Sequence, residues 1–200
     1  MKTIVIAGAA MMALVSCSVR STGTMTEEEA SLINDSPEVM RILTVESEED
    51  VAVLRRSSVD FNMADISSPE YEALARKLVT TLESTDGGVG LAAPQVGISR
   101  RVVAVQRVDK EGEPIEVYAN IAIVDKRGEM VAGPEGCLSV PDQRGEVLRS
   151  QDITIRYTDI TGGPKSEPRE IREDVSGFAA VIFQHEVDHL DGVLYIDKML

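Results

Sequence analysis

The stretch "FQHEVDHLDG", residues 183–192, holds the only two histidines of the chain, His185 and His189, four positions apart with Glu186 beside the first. On a helix that spacing puts both imidazoles on one face, the geometry in which H-E-x-x-H grips a metal. Phe178 and Ile182 fall on the same stripe, so all four side chains are predicted to point into the domain. The helix carrying them is expected from about Asp174 to Leu190, with Gly192 placed to end it. A buried histidine pair with no metal would leave ring nitrogens without partners, which is costly. A metal is therefore the better reading, yet a catalytic site of this kind takes three protein ligands and no third histidine exists.

The cysteines supply the missing ligand. There are two, Cys17 and Cys137. Cys17 closes an N-terminal segment with a basic Lys2 and an apolar run from about Ile4 to Val15, too short to span a bilayer and suited to a signal-peptide core. Leu14-Val15-Ser16-Cys17 resembles the bacterial lipobox, in which the cysteine is acylated and becomes the new N-terminus. The expectation is a signal peptide over 1–16, a lipidated Cys17 with a polar tether over 17–38, and a catalytic domain over 39–200. Such a protein sits in the bacterial cell envelope, held on a membrane by more than one acyl chain. An exported domain with one remaining thiol cannot form an internal disulfide, so Cys137 must be buried, reactive or bound to something.

Cys137 lies in "GPEGCLSVP", between glycines and a proline, in a segment too broken for a regular long strand. Beside a histidine pair lacking a partner it becomes the natural third ligand. A thiolate and two imidazoles suit zinc or ferrous iron and leave a position for water. A bound cation lowers the pKa of that water to roughly 7, and Glu186 can reach it as general base and then acid. In "GGVGLAAPQVG" (87–97), the Gln95 amide and a backbone N–H near Cys137 can both donate to a developing oxyanion, although a purely structural turn remains the alternative there.

Elsewhere the pattern is α+β. Ser68 and Pro69 open a helix whose Tyr71, Leu74, Ala75, Leu78 and Leu82 form one stripe, and Asp86-Gly87-Gly88 stops it. Strand-like runs follow at 101–108, 115–124 and 152–159, separated by turn-forming "DKEGEP", "DKRGE" and "TGGP". The 43 % apolar content suffices for one domain core. With 34 acidic against 20 basic residues, net −14, the chain repels phosphate backbones, which argues against nucleic acid as a partner.

Three stretches in this order, "GVGLAAPQVG", "EGCLSVP" and "QHEVDHLDGVLYID", resemble the signature motifs of the peptide deformylase family, and "ILTVESEEDVAVLRRSSVDF" resembles its opening segment more loosely. The resemblance covers about residues 40–200. It implies antiparallel β-sheets around a central metal-binding helix and removal of the formyl group from N-formylmethionyl peptides. It implies Cys137, His185 and His189 as ligands of ferrous iron, with zinc, nickel or cobalt able to occupy the site. Glu186 would be the acid/base, and Gln95 with the Leu138 N–H would hold the formyl oxygen. Gly90 would line the site and Arg144 would sit near the peptide beyond the methionine. Phe178, Val181 and Ile182 would form the methionine pocket.

Two other classes are compatible with parts of the pattern: a zinc endopeptidase, and a non-catalytic lipoprotein that captures formyl-peptides. A thiolate ligand is foreign to typical H-E-x-x-H proteases, and intact Glu186 has no use in pure binding. Docking on the ribosome is not expected, since eleven residues follow His189 and the chain is acidic. An exported enzyme of this kind would meet formylated peptides after synthesis, in the periplasm or at the surface.

Overall fold

The computed structural model describes residues 22–159 and 168–200. In chain order its elements are β1 (Thr22–Gly23), α1 (Glu27–Asp35), α2 (Glu48–Leu54), β2 (Asp60–Phe61), α3 (Met63–Ile66), α4 (Pro69–Glu83), β3 (Gly90–Ala92), β4 (Val102–Gln106), β5 (Ile115–Cys137), β6 (Val140–Asp159), β7 (Arg169–Ser176) and α5 (Gly177–Leu190). Strands β3-β4-β5-β6-β7 form an antiparallel sheet in that order, and β1 pairs with β2 in parallel. The α+β architecture expected from the sequence is the one observed.

The unbroken apolar run in β4 has a simple cause. Val102 and Ala104 pack toward α4, against Leu74, Leu78 and Leu82. Val103 and Val105 pack on the other face with Ala180, Phe183 and Val187 of α5. A strand covered on both faces reads as continuous hydrophobics instead of alternating ones. Helix α4 begins as predicted: the Ser68 hydroxyl accepts from Tyr71 N at 3.1 Å and Pro69 takes the first turn. Of its stripe, Ala75 is only partly buried, at the margin of the core.

Three expectations about the strands and the last helix are corrected. "DKRGE" does not separate two strands, because β5 runs through it with register shifts that include one between Arg127 and Met130. Bulges of this kind let one strand bend without ending. For the same reason Cys137 closes a 23-residue strand instead of lying in a broken turn, with a further shift between Glu135 and Cys137. The last helix starts at Gly177, not Asp174, because Arg169–Ser176 pairs with β6 in register from Asp159↔Arg169 to Asp152↔Ser176. The "TGGP" loop lies outside the described residues.

The tether is corrected most. From Thr22 onward the chain is folded onto the domain as an arm beside α4. The Arg100 guanidinium, 3 % exposed, donates to the carbonyls of Gly23 and Thr24 at 2.7 and 2.6 Å and to both Glu29 oxygens at 2.8 and 2.6 Å. Thr26 and Glu29 close a capping box on α1. Ile33 is fully buried, worth about 1.5–3 kcal/mol. Buried Lys77 caps the far end of α1 through the carbonyls of Ile33 and Ser36 at 2.5 and 2.6 Å. The signal peptide and Cys17 lie outside the described residues.

Candidate metal centre

Helix α5 is seated by its apolar side and locked in rotation by one amide. Gln184 Oε1 accepts from Ser150 N at 3.1 Å, and its Nε2 donates to Ser150 O at 2.8 Å. This two-way bond to β6 fixes which way the neighbouring His185 and Glu186 face.

The ligand atoms of Cys137, His185 and His189 lie within 4.8 Å of one another, with Cys137 Sγ 3.2 Å from His189 Nε2. The residues singled out by spacing thus converge, although 52 positions separate the thiol from the farther histidine. His185 Nδ1 is held by Glu135 Oε2 at 2.8 Å, leaving Nε2 as the ring's remaining ligand atom. Glu135 in turn receives two bonds from Arg149, at 2.7 and 3.0 Å. Arg149 also bonds Asp188 at 2.6 Å, and Lys198 bonds both Asp188 oxygens at 2.7 Å. Burial pushes the Glu135 carboxyl up, but Arg149 and His185 outweigh it and hold the group at about 2.

This donor set fits a metal cation. Burial works against a charge on His185, yet the Cys137 sulfur and Glu135 raise its pKa to about 10. The field that favours a proton on that ring also favours a cation beside it. Burial, and next the charge of His185, hold His189 well below the usual imidazole range, so it keeps the neutral form that ligates. A thiolate with two imidazoles is a set that zinc and ferrous iron accept.

Gln95 reaches the cluster from the 3-10 turn Ala93–Val96 that follows β3. Its Oε1 accepts from Ala92 N at 2.8 Å, which aims the NH2 group at Ser139 Oγ, 3.1 Å away, and toward Cys137 Sγ, 3.7 Å away. Ser139 N also donates to the sulfur at 3.4 Å. Leu138 lies in sequence between Cys137 and Ser139, the two residues these bonds hold, and lines the cleft.

Glu186 is 4 % exposed, and its Oε2 has no hydrogen-bond partner among the described residues. Burial, the main influence, pushes its carboxyl up to about 7. It packs against Gly90, where a Cβ would stand 2.7 Å from the Glu186 carboxyl carbon. Gly90 is thus required for room, because any side chain there would take the space of the carboxylate.

A cavity of about 670 Å³ opens over the cluster, and Gly90, Gln95, Cys137, Leu138, Arg144, Phe178, Val181, Ile182, His185 and Glu186 are among its lining residues. His189, 1 % exposed, lies outside that lining. One inward-facing expectation fails. Ile182 is 3 % exposed but Phe178 is 58 % exposed, since α5 begins only at Gly177 and its first turn emerges at the cleft. Glu135, Arg149, Ser139 and Gln184 belong to the site without carrying a motif that marks them in the sequence. An acid two residues before Cys137, in an otherwise Gly-Pro segment, was the one available signal.

A cleft that gathers a thiol, two imidazoles, a buried carboxyl and an aimed amide has the layout of a metal-dependent hydrolase. The model of the family described as "Polypeptide deformylase" matches residues 19–200. A peptide deformylase of Desulforudis audaxviator is 44 % identical over 131 residues, 66 % of this chain and 79 % of the relative. One from Thermomicrobium roseum is 38 % identical over 165 residues, 80 % of this chain and 87 % of the relative. A Met-Ala-Ser-bound crystal structure of the class I type b peptide deformylase from Acinetobacter baumannii superposes with a TM-score of 0.67 at 31 % identity, covering 80 % of this chain and 98 % of that one. The chain belongs to the polypeptide deformylase family and carries its metal-dependent amidase activity, with formyl-methionyl peptides as the implied substrates.

Gly90→Ala is expected to lower turnover by about 100-fold, the scale set by misplacing a reacting group by about 1 Å. Thermal unfolding of the variant should show the fold retained. Turnover within a fewfold of the native enzyme would mean that Glu186 does not need this space.

Proposed function

We propose that this enzyme removes the formyl group from N-formylmethionyl peptides with Glu186 as its proton carrier, and that it works outside the cytosol on a membrane. Cys137, His185 and His189 would hold the metal, which we assign as ferrous iron. That cation would supply Lewis acidity and an acidified water nucleophile. The Glu186 carboxylate takes the proton of the attacking water and returns it to the departing amine as the C–N bond breaks, releasing formate and a free N-terminus. The Gln95 NH2 and Leu138 N–H donate to the formyl oxygen as it gains charge. Phe178, Val181 and Ile182 receive the methionine side chain, and Arg144 meets the peptide beyond it.

The observation that supports this reading most is the convergence of one sulfur and two ring nitrogens within 4.8 Å beside a buried carboxyl. The location rests on sequence: Lys2, the apolar run to Val15, and Leu14-Val15-Ser16-Cys17, which together point to lipidation at Cys17 in the cell envelope. The test is amine release from formyl-Met-Ala-Ser by anaerobically purified, iron-loaded protein. Release should stop on chelation and return with ferrous iron, and casein should stay intact. Casein cleavage without deformylation would replace this reading with an endopeptidase, and peptide binding without turnover with a capture protein.

A further inference from the structure

The N-terminal arm fixes where a lipid anchor would attach and how far the domain could stand from it. The arm follows α4 from one end to the other. Met25 N donates to Asp65 at 2.6 Å, just before α4 begins. Lys77, in the body of the helix, holds the carbonyls of Ile33 and Ser36. Met40 N donates to Thr81 Oγ1 at 2.8 Å, near the end of α4. The chain therefore enters the fold at the start of α4. There Asn62 Nδ2 donates to Thr24 Oγ1 at 3.2 Å, and Met63 is 54 % exposed. The catalytic cleft lies at the other end, because Asp86–Gly90, a few residues past the last turn of α4, line it. A 15-residue helix is about 22 Å long.

We infer that the enzyme is mounted on its membrane by the α4 start, with Thr22, Asn62 and Met63 toward the bilayer and the cleft facing away from it. The inference rests on the proposed lipidation of Cys17. Between Cys17 and Thr22 there are only five chain steps, which span at most about 17 Å when fully extended. A domain of this size is about 40 Å across. To press the cleft against the lipid, the attachment point would have to rise from the membrane by about the length of α4, and the link is too short for that. A free tether of the length the composition suggests would impose no such limit. With the arm folded down, peptides reach the cleft from the aqueous side and not from the lipid.

The test uses the full chain, acylated in its host and reconstituted into phosphatidylethanolamine–phosphatidylglycerol vesicles. A photo-crosslinking amino acid is placed at Met63 or at Asp86, and lipid adducts are counted by mass spectrometry. Adducts from position 63 should exceed those from position 86 several-fold. Inserting about 20 Gly/Ser residues after Ser18, with an r.m.s. length of about 25 Å, should bring the two yields together without touching the folded arm. Equal yields in the uninserted protein, with acyl chains found on Cys17, would overturn the mounting while leaving lipidation intact. A Cys17 without acyl chains would overturn lipidation itself and the mounting with it, while the deformylase assay in solution would be unaffected.

Discussion

Glu186→Gln should retain its metal and fold and lose about 10²–10⁴-fold in deformylation, the range general acid–base catalysis contributes. The carboxyl sits one residue from His185, is 4 % exposed, and has an Oε2 without a partner among the described residues. An unpaired buried oxygen is costly to keep, and a purely structural role would have provided it with a donor. Burial pushes the group up to about 7, where it can both accept and release a proton near neutral pH. Glutamine keeps the volume and removes the titration, so stability should hold or rise. The checks are amine release from formyl-Met-Ala-Ser, metal content by mass spectrometry and thermal unfolding, all on one preparation. A variant within tenfold of the native rate, with metal in place, would remove Glu186 from the chemistry.

The ligands were legible because each is a rare residue. With two histidines and one thiol left in the domain, spacing alone nearly determined the cluster, and the structure brings all three together. Helix α4 was legible because its cap, first-turn proline and apolar stripe agree. The arm was not. Residues 22–38 are polar, and what holds them down is Arg100 and Lys77, far along the chain, with Ile33 as the one fully buried apolar anchor. Composition describes the segment and not its partners. Strand β7 was missed because "REIREDVS" is charged, although Ile171, Glu173 and Val175 do alternate inward. An edge strand with one wet face carries a weak pattern, and a charged run ahead of an apolar helix reads as its first turn. The support behind His185 was invisible for a further reason: Glu135 and Arg149 are 14 residues apart on two strands, and only the β5–β6 register brings them together.

That support carries the second large effect. Arg149→Met should destabilise the protein by about 3–5 kcal/mol, the cost of leaving a buried charge without its partner, and should weaken metal binding as well. Arg149 is 3 % exposed and serves two carboxylates, Glu135 and Asp188, whose side chains are 6 % and 13 % exposed. Lys198 reaches Asp188 from the surface and can compensate there, but among the described residues the only other group bonded to the Glu135 carboxylate is His185 itself. Without Arg149, burial of Glu135 is opposed by His185 alone and its pKa rises, and a neutral carboxyl is a poorer acceptor for the His185 N–H. The ring then loses the contact that fixes its tautomer, a kind of loss that typically costs 10–100-fold in metal affinity. Urea unfolding measures the first effect, and competition with a chelator measures the second without reference to catalysis. In Arg149→Met/Glu135→Gln the buried charge is gone, so stability should recover in part while metal affinity stays low. If the single variant unfolds within about 0.5 kcal/mol of the native protein, the range of ordinary surface changes, the Glu135–Arg149 pair does not support the site.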